Sequence, residues 1–189
     1  MYTDEEVQKF NDNSDPDAYP RDNILYNNLV RKNYLLQSHS INVSGGTEKV
    51  RYFANFGFQD QAGMWNSAKS IRYNLNMNLS AKITKTTEIA FLLNGNVKKF
   101  QNPPSDIPGP TSGEGRIFEV IKFAHPGFSG PNFFSNGDFG SVAAAEIYGG
   151  GYDKTNTTQI FSQMSLKQKI PFVPGLSFKG TFAYDPTFM

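Results

Sequence analysis

Cysteine is absent from the 189 residues. A disulfide framework and a Cys-ligated metal site are therefore both excluded, although cysteine-free chains occur in every compartment. Apolar runs are also short. Nowhere do 18 such residues follow one another, so no transmembrane helix is encoded. Charge is scarce, with charged residues at 19% and a net charge of +1, so no strong field of either sign invites nucleic acid. The two histidines, His39 and His125, have no partners at metal-ligand or acid/base spacing. Glycine clusters at Gly45-Gly46, Gly113-Glu114-Gly115 and Gly149-Gly150-Gly151, but none joins a strand to a helix as a phosphate-binding loop must. Paired carboxylates are not evident either, because Asp and Glu gather in residues 4–22, a solvated loop in composition. The expectation is a protein that is not an enzyme and has no cofactor or metal.

Aromatics and asparagine are plentiful. There are 17 Phe and 9 Tyr, a mixture that suits the pleated surface of a strand. Much of the Asn falls inside strand-like segments rather than at turns. Residues 1–37 read as polar and irregular. Asp4-Glu5-Glu6 can open a short helix, since carboxylates suit a helix N-terminus. Asn23 to Arg31 suggests a second, with Leu25 and Leu29 on one side.

From Ser38 the pattern changes to period two. Ser38 to Ser44, Val50 to Gln59, Ile71 to Ile83, Thr87 to Lys99, Thr158 to Lys169 and Leu176 to Tyr184 are predicted strands. The third is the clearest. Ile71, Tyr73, Leu75, Met77, Leu79, Ala81 and Ile83 alternate with Arg72, Asn74, Asn76, Asn78, Ser80 and Lys82, a pattern no helix produces over such a length. Gly45-Gly46 is expected to form the first hairpin turn, with φ above zero. Connections alternate short and long, and the longest runs from Phe100 to Asn156. In an antiparallel meander this puts tight turns at one end and long loops at the other, the asymmetry of outer-membrane barrels.

Strand length argues in the same direction. The third and fourth strands run about thirteen residues, or roughly 40 Å, where a tilted membrane strand needs only about 9 to 11 and soluble strands average about five or six. Arg51, Arg72, Lys82, Lys98, Lys167 and Lys179 all fall on the polar face of the alternation. A cation facing lipid at mid-depth costs about 2–4 kcal/mol, while one facing a lumen is tolerated. Asn within strands fits a wet lumen, and Tyr52, Tyr73 and Phe178 near strand ends fit an aromatic girdle. The fold class expected is all-β, an antiparallel transmembrane β-barrel segment. Six strands fall short of the smallest single-chain barrel, so the sheet is expected to be open and part of a larger wall. The alternative is a soluble antiparallel β-protein with unusually long strands.

The run Ser44-Gly45-Gly46-Thr47-Glu48-Lys49-Val50-Arg51-Tyr52-Phe53, then Gly57-Phe58-Gln59-Asp60-Gln61-Ala62-Gly63, then Arg72-Tyr73-Asn74-Leu75 and Asn78-Leu79, resembles the SusC/RagA family of TonB-linked (TonB-dependent) outer-membrane proteins. Tyr2-Thr3-Asp4-Glu5-Glu6-Val7, Asn13-Ser14-Asp15-Pro16-Asp17-Ala18-Tyr19-Pro20 and Pro174-Gly175-Leu176-Ser177-Phe178-Lys179 resemble it too. The resemblance implies a 22-stranded barrel with a plug domain, of which this chain is an early part. It implies two protein partners, a SusD/RagB-like surface lipoprotein and the TonB complex, the latter acting through segments absent here. The implied function is import of oligosaccharides or peptides across the bacterial outer membrane. On this reading residues 1–37 are an extracellular loop with short helices, residues 38–189 are partial barrel, and residues 100–156 are a long extracellular loop. The polar opening Met1 to Phe10 carries no signal-peptide pattern, so Met1 is expected to be an internal start. The alternative function is a non-transporting barrel that acts as a surface binding or adhesion module.

The candidate functional residues follow from these placements. Arg51, Asn55, Arg72, Asn74, Asn76, Asn78, Asn94 and Asn96 are expected to face the lumen, toward the plug or the substrate path. Trp65, as an exposed indole, is a candidate for sugar stacking in one extracellular loop. Phe128, Phe133, Phe134 and Phe139 lie in the long loop, after a short helix expected at Arg116 to Phe123. Loops this long are usually functional or disordered. This one either packs beneath the lipoprotein and lines the substrate chamber, or its aromatics only fold it on itself. If it serves the chamber, deleting Ser129 to Phe139 from a full-length parent reduces uptake or capping, measured by solute accumulation and lipoprotein co-purification. Unchanged values for both would leave self-packing as its whole role.

Overall fold

The computed structural model describes residues 2–20, 29–104, 114–123, 131–149 and 151–189. In chain order these form α1 (Asp4–Asp12), β1 (Leu36–Gly46), β2 (Val50–Ala62), β3 (Lys69–Lys82), β4 (Thr87–Asn102), α2 (Glu114–Phe123), α3 (Val142–Tyr148), β5 (Asp153–Lys169), β6 (Ser177–Tyr184) and β7 (Thr187–Phe188). The chain divides into two compact units. One comprises Leu36–Gln61, Ser70–Phe100 and Thr155–Met189, and the other Met1–Leu35, Ala62–Lys69 and Gln101–Lys154.

The first unit is a β-sheet in the order β1-β2-β3-β4-β5-β6, a meander with β1 and β6 at its edges. β1 pairs antiparallel with β2 from Leu36↔Gln61 to Gly46↔Arg51, and β5 with β6 from Ser162↔Tyr184 to Lys169↔Ser177. All six predicted strands are present, and most are longer than their alternation indicated. β4 continues to Asn102 and β5 begins at Asp153, so the long connection is 103–152 rather than 100–156. The added residues of β5 include Thr155 and Thr157, β-branched residues that suit a strand without alternating in polarity. β7 was not expected. It resumes pairing with β5 at Thr158 and Gln159, after Pro186, which has no N–H to give the ladder.

Hydroxyl side chains close two of the tight turns. Thr47 Oγ1 accepts from the N–H groups of Lys49 and Val50, each at 3.2 Å. Thr84 Oγ1 accepts from those of Thr86 and Thr87 at 3.1 and 2.9 Å. Such local bonds fix a reversal without left-handed backbone. The expectation that Gly45-Gly46 forms the first turn is therefore corrected. Both glycines belong to β1, opposite Tyr52 and Arg51, and neither is among the residues of positive φ. Gly46 is a glycine because of close approach. A Cβ on Gly46 would strike the Val50 carbonyl, while one on Gly45 would meet the Tyr52 hydroxyl, the movable tip of a side chain. Only the third turn uses the positive-φ device, at Gly175 (φ 85°).

The second unit holds every fully buried hydrophobic residue among those described: Leu29, Trp65, Ala68, Ile117, Ala143, Ala144 and Ile147. Short polar contacts bind its pieces together. Ser67 Oγ donates to the Ile147 carbonyl at 3.3 Å, and Gln101 Nε2 donates to the Ser67 carbonyl at 2.9 Å. Arg31 Nη2 donates to the Asn66 carbonyl at 3.1 Å. α1 begins with a capping box, in which the Glu6 N–H donates to Thr3 Oγ1 and the Thr3 N–H donates to Glu6 Oε2 at 2.7 Å. That backbone bond holds the Glu6 carboxyl below its usual pKa, because it favours the charged form. α2 extends the helix expected at Arg116 to Phe123. α3 was missed, because its seven residues are too few to show a helical period. The N-cap of α3 is Ser141, whose Oγ accepts from the Ala144 N–H at 3.1 Å and donates to the buried Asn132 side chain at 2.8 Å. Of the helix expected at Asn23 to Arg31, residues 23–28 lie outside the described residues, Leu29 and Val30 form a turn and bend, and Arg31 is irregular.

Trp65 is only 1% exposed, with its ring centroid 5.2 Å from that of Phe118. Trp65→Ala should remove about 3–5 kcal/mol of packing from this body, the usual cost of emptying a buried aromatic site. The check is limited proteolysis of the 103–152 segment, which should be cleaved markedly faster in the variant.

Candidate functional site

The alternation of the strands becomes two chemically distinct faces in the sheet. On one, Ile41 faces Phe56, Val43 faces Ala54 and Met164 faces Phe182. This face is uncovered, with Ile41 70% exposed and Phe182 71%. Its positions from Val50 to Phe58 in β2, Tyr73 to Ala81 in β3 and Ile89 to Val97 in β4 carry no charge, five positions over a span of nine residues in each strand. Asp60, Lys69 and Lys99 mark where that stretch ends. Beside them runs an aromatic row. His39 stacks on Phe58 at 6.3 Å, Phe58 meets Tyr73 at 5.3 Å, and Lys99 Nζ lies 5.9 Å from the Tyr73 ring centre.

The other face is polar, and it gathers the candidates that the alternation placed there. Asn42 lies opposite Asn55 in the β1–β2 register. Asn76 Nδ2 donates to Asn55 Oδ1 at 3.4 Å, and Asn55 Nδ2 reaches the Ile41 carbonyl at 3.5 Å. Asn74 lies beside Gly57 in the neighbouring strand. Asn78, Asn94 and Asn96 share the phase of these residues in β3 and β4. Arg72 stands at the other end of that phase in β3, its Nε buried and without a hydrogen-bond partner.

Charge on this face is one-sided. Arg51, Arg72, Lys82, Lys98, Lys167, Lys169 and Lys179 oppose two carboxylates, Glu88 and Asp153 at the far end of β5. Among the described residues none of the seven cations is in an ion pair. Lys167 and Lys179 are directly opposite each other across β5 and β6, an arrangement that costs stability unless other charges intervene.

A hollow of about 370 Å³ opens on the polar face. Arg51 and Phe53 of β2, Asn78 and Ser80 of β3, and Gln163 and Ser165 of β5 line it, with Ala90 and Leu92 of β4 between them. It forms because Ser80, Ala90 and Ser165 are small beside their larger neighbours. The candidate list contained Arg51 and Asn78 but omitted Phe53, Ser80, Gln163 and Ser165. Each of these lies on the polar phase of its own strand, but only the register between strands brings them to one place.

The loop candidates fall elsewhere, in the second unit. The expectation that Trp65 offers an exposed indole is corrected: the connection carrying it packs the ring inward against Phe118 and Ile117's cluster, because an indole is too apolar to stay in water when helices offer a pocket. Phe133 pairs with Phe139 through a β-bridge, with ring centroids 6.0 Å apart, and Phe133 also meets Tyr148 at 5.3 Å. Phe133, Phe134 and Phe139 remain between about one-third and one-half exposed. Phe128 and His125 lie outside the described residues. Among the described residues no group of His, Cys, Asp or Glu is arranged to hold a metal ion, and no helix is long and apolar enough to cross a membrane. No family model and no curated protein matches the chain.

The Asn55–Asn76 bond is long and lies on a hydrated face, so Asn55→Ala should change stability by no more than about 1 kcal/mol, the net value of an ordinary hydrogen bond. Chemical denaturation of the two forms in one detergent provides the comparison.

Proposed function

We propose that this sheet is a stretch of the wall of an outer-membrane β-barrel, with its apolar face in lipid and its polar face toward a water-filled lumen. The observation that carries the reading is the uncovered apolar face, uncharged over a span of nine residues in each of three adjacent strands. Nine residues approach the ~9–11 that a tilted strand needs to cross the hydrocarbon. Contiguous exposed apolar surface of this extent marks a membrane or partner interface. In water each such side chain forgoes about 1.5–3 kcal/mol of burial free energy. The row of His39, Phe58 and Tyr73, ended by Lys99, suits the interface, where amphipathic rings and long cations settle.

Within that class, the SusC/RagA-like runs from Ser44 to Phe53, Gly57 to Gly63 and Arg72 to Leu75 favour a TonB-dependent importer of oligosaccharides or peptides. It would work with a SusD/RagB-like lipoprotein and be energised by the TonB complex. The three tight turns at 47–49, 84–86 and 170–176 then face the periplasm, and the 63–68 and 103–152 connections face outward. The asparagines and cations of the polar face border the solute path or the plug.

The test places the same charge on each face. Met77→Arg should destabilise the protein in phospholipid by about 2–4 kcal/mol, as for an arginine at the bilayer midplane, whereas Asn78→Arg on the lumen side should cost far less. Reversible unfolding from liposomes measures both. Equal penalties, or failure of the parent to enter the bilayer, would overturn the membrane assignment.

A further inference from the structure

We propose that the hollow on the polar face is a binding site for an acidic sugar unit, a uronate within an oligosaccharide. The inference rests on reading this face as the wall of a solute path. The hollow's volume, about 370 Å³, falls in the range of small-molecule sites, about 300–1,000 Å³. Its chemistry matches a charged, hydroxylated ring at each point. Arg51 offers a planar fork that takes a carboxylate with two parallel hydrogen bonds. Asn78 and Gln163 each present an amide that both donates and accepts, and Ser80 and Ser165 each present a hydroxyl, the complement of vicinal sugar hydroxyls. Phe53 supplies an aromatic surface for the apolar C–H side of a ring. Among the described residues none of these five polar side chains makes a hydrogen bond within the protein, so their capacity stays free for a solute.

The charge of the surrounding face selects the acidic form over the neutral one. Lys82, Lys167 and Lys179 share the face with Arg51 and outnumber Glu88, and an excess of one sign of charge concentrates the opposite sign.

The experiment is calorimetric titration of the protein folded in detergent with three probes: a galacturonate oligomer, the neutral galactose oligomer of equal length, and a glutamate oligomer. The galacturonate oligomer should bind at least about tenfold more tightly than the neutral one, since a hydrogen bond to a charged group is stronger than one to a neutral group. Arg51→Gln should remove most of that preference, weakening the galacturonate oligomer far more than the neutral one. Gln163→Ala should weaken both sugars. Circular dichroism of each variant verifies that the sheet is retained. No binding of the galacturonate oligomer, equal binding of the two sugars, or a preference that survives Arg51→Gln would overturn the proposal. Equal or tighter binding of the glutamate oligomer would overturn the sugar assignment. If any of these results comes from protein that still inserts into liposomes, only the ligand site fails. Loss of insertion in the parent protein is what would remove the barrel reading itself.

Discussion

The constraint on which the sheet depends is the backbone ladder. A strand of thirteen to seventeen residues, as in β2 to β5, carries a polar N–H and C=O at almost every position, and each must be paired before its side chains can enter an apolar medium. Interior strands β2 to β5 each have neighbours on both sides. Their main-chain groups are therefore satisfied wherever a partner runs alongside, which for β5 on its outer side means Ser162 to Lys169 against β6 and Thr158 and Gln159 against β7, and there the side chains decide what each face can meet. The edge strands β1 and β6 lack that protection on one side, which is why a membrane setting calls for further strands beyond them.

Once the ladder is closed, alternation does the sorting. A strand reverses its side-chain direction at each residue, so a shift of one position would carry Arg72 to the apolar side and Leu75 to the polar side. The register prevents this at several points, among them Ile41 facing Phe56 and Asn42 facing Asn55. Faces of such different chemistry also explain why the fully buried residues described lie in the other unit. A single sheet layer has no interior of its own, while the connections gather Trp65, Ile117 and Ile147 into a core.

The strands were legible because their signal is local. The alternation from Ile71 to Ile83 is complete, and β3 follows it closely. The ends of β4 and β5 were not, since Gln101-Asn102 and Asp153-Lys154 have no polarity contrast, and pairing with a neighbour decides their conformation. Gly45-Gly46 misled for a related reason. Two glycines suit a turn, but Thr47 closes it with a side-chain oxygen, and Gly46 answers a steric demand from Val50 that only cross-strand register reveals. Trp65 has polar neighbours in sequence, Asn66 and Ser67, and its burial depends on Phe118, more than fifty positions away. The asparagines of the polar face could be assigned to it from phase alone. The hollow could not, because Arg51, Ser80 and Ser165 become neighbours only through three successive registers.

The unequal connections also bear on how the sheet is assembled. Hairpins β1–β2, β3–β4 and β5–β6 are joined by reversals of a few residues, two of them held by threonine hydroxyls, so each can zip from its own turn on the microsecond scale of isolated hairpins. Joining β4 to β5 spans the 103–152 segment. For a flexible chain, closing such a loop costs about 2 kcal/mol more than closing the six residues between β2 and β3. The helices α2 and α3, which bury Ile117, Ala143, Ala144 and Ile147, shorten the free chain that must be closed. That small core outside the strands thus acts as a splint, lowering the entropic barrier to docking the last hairpin on the four strands before it.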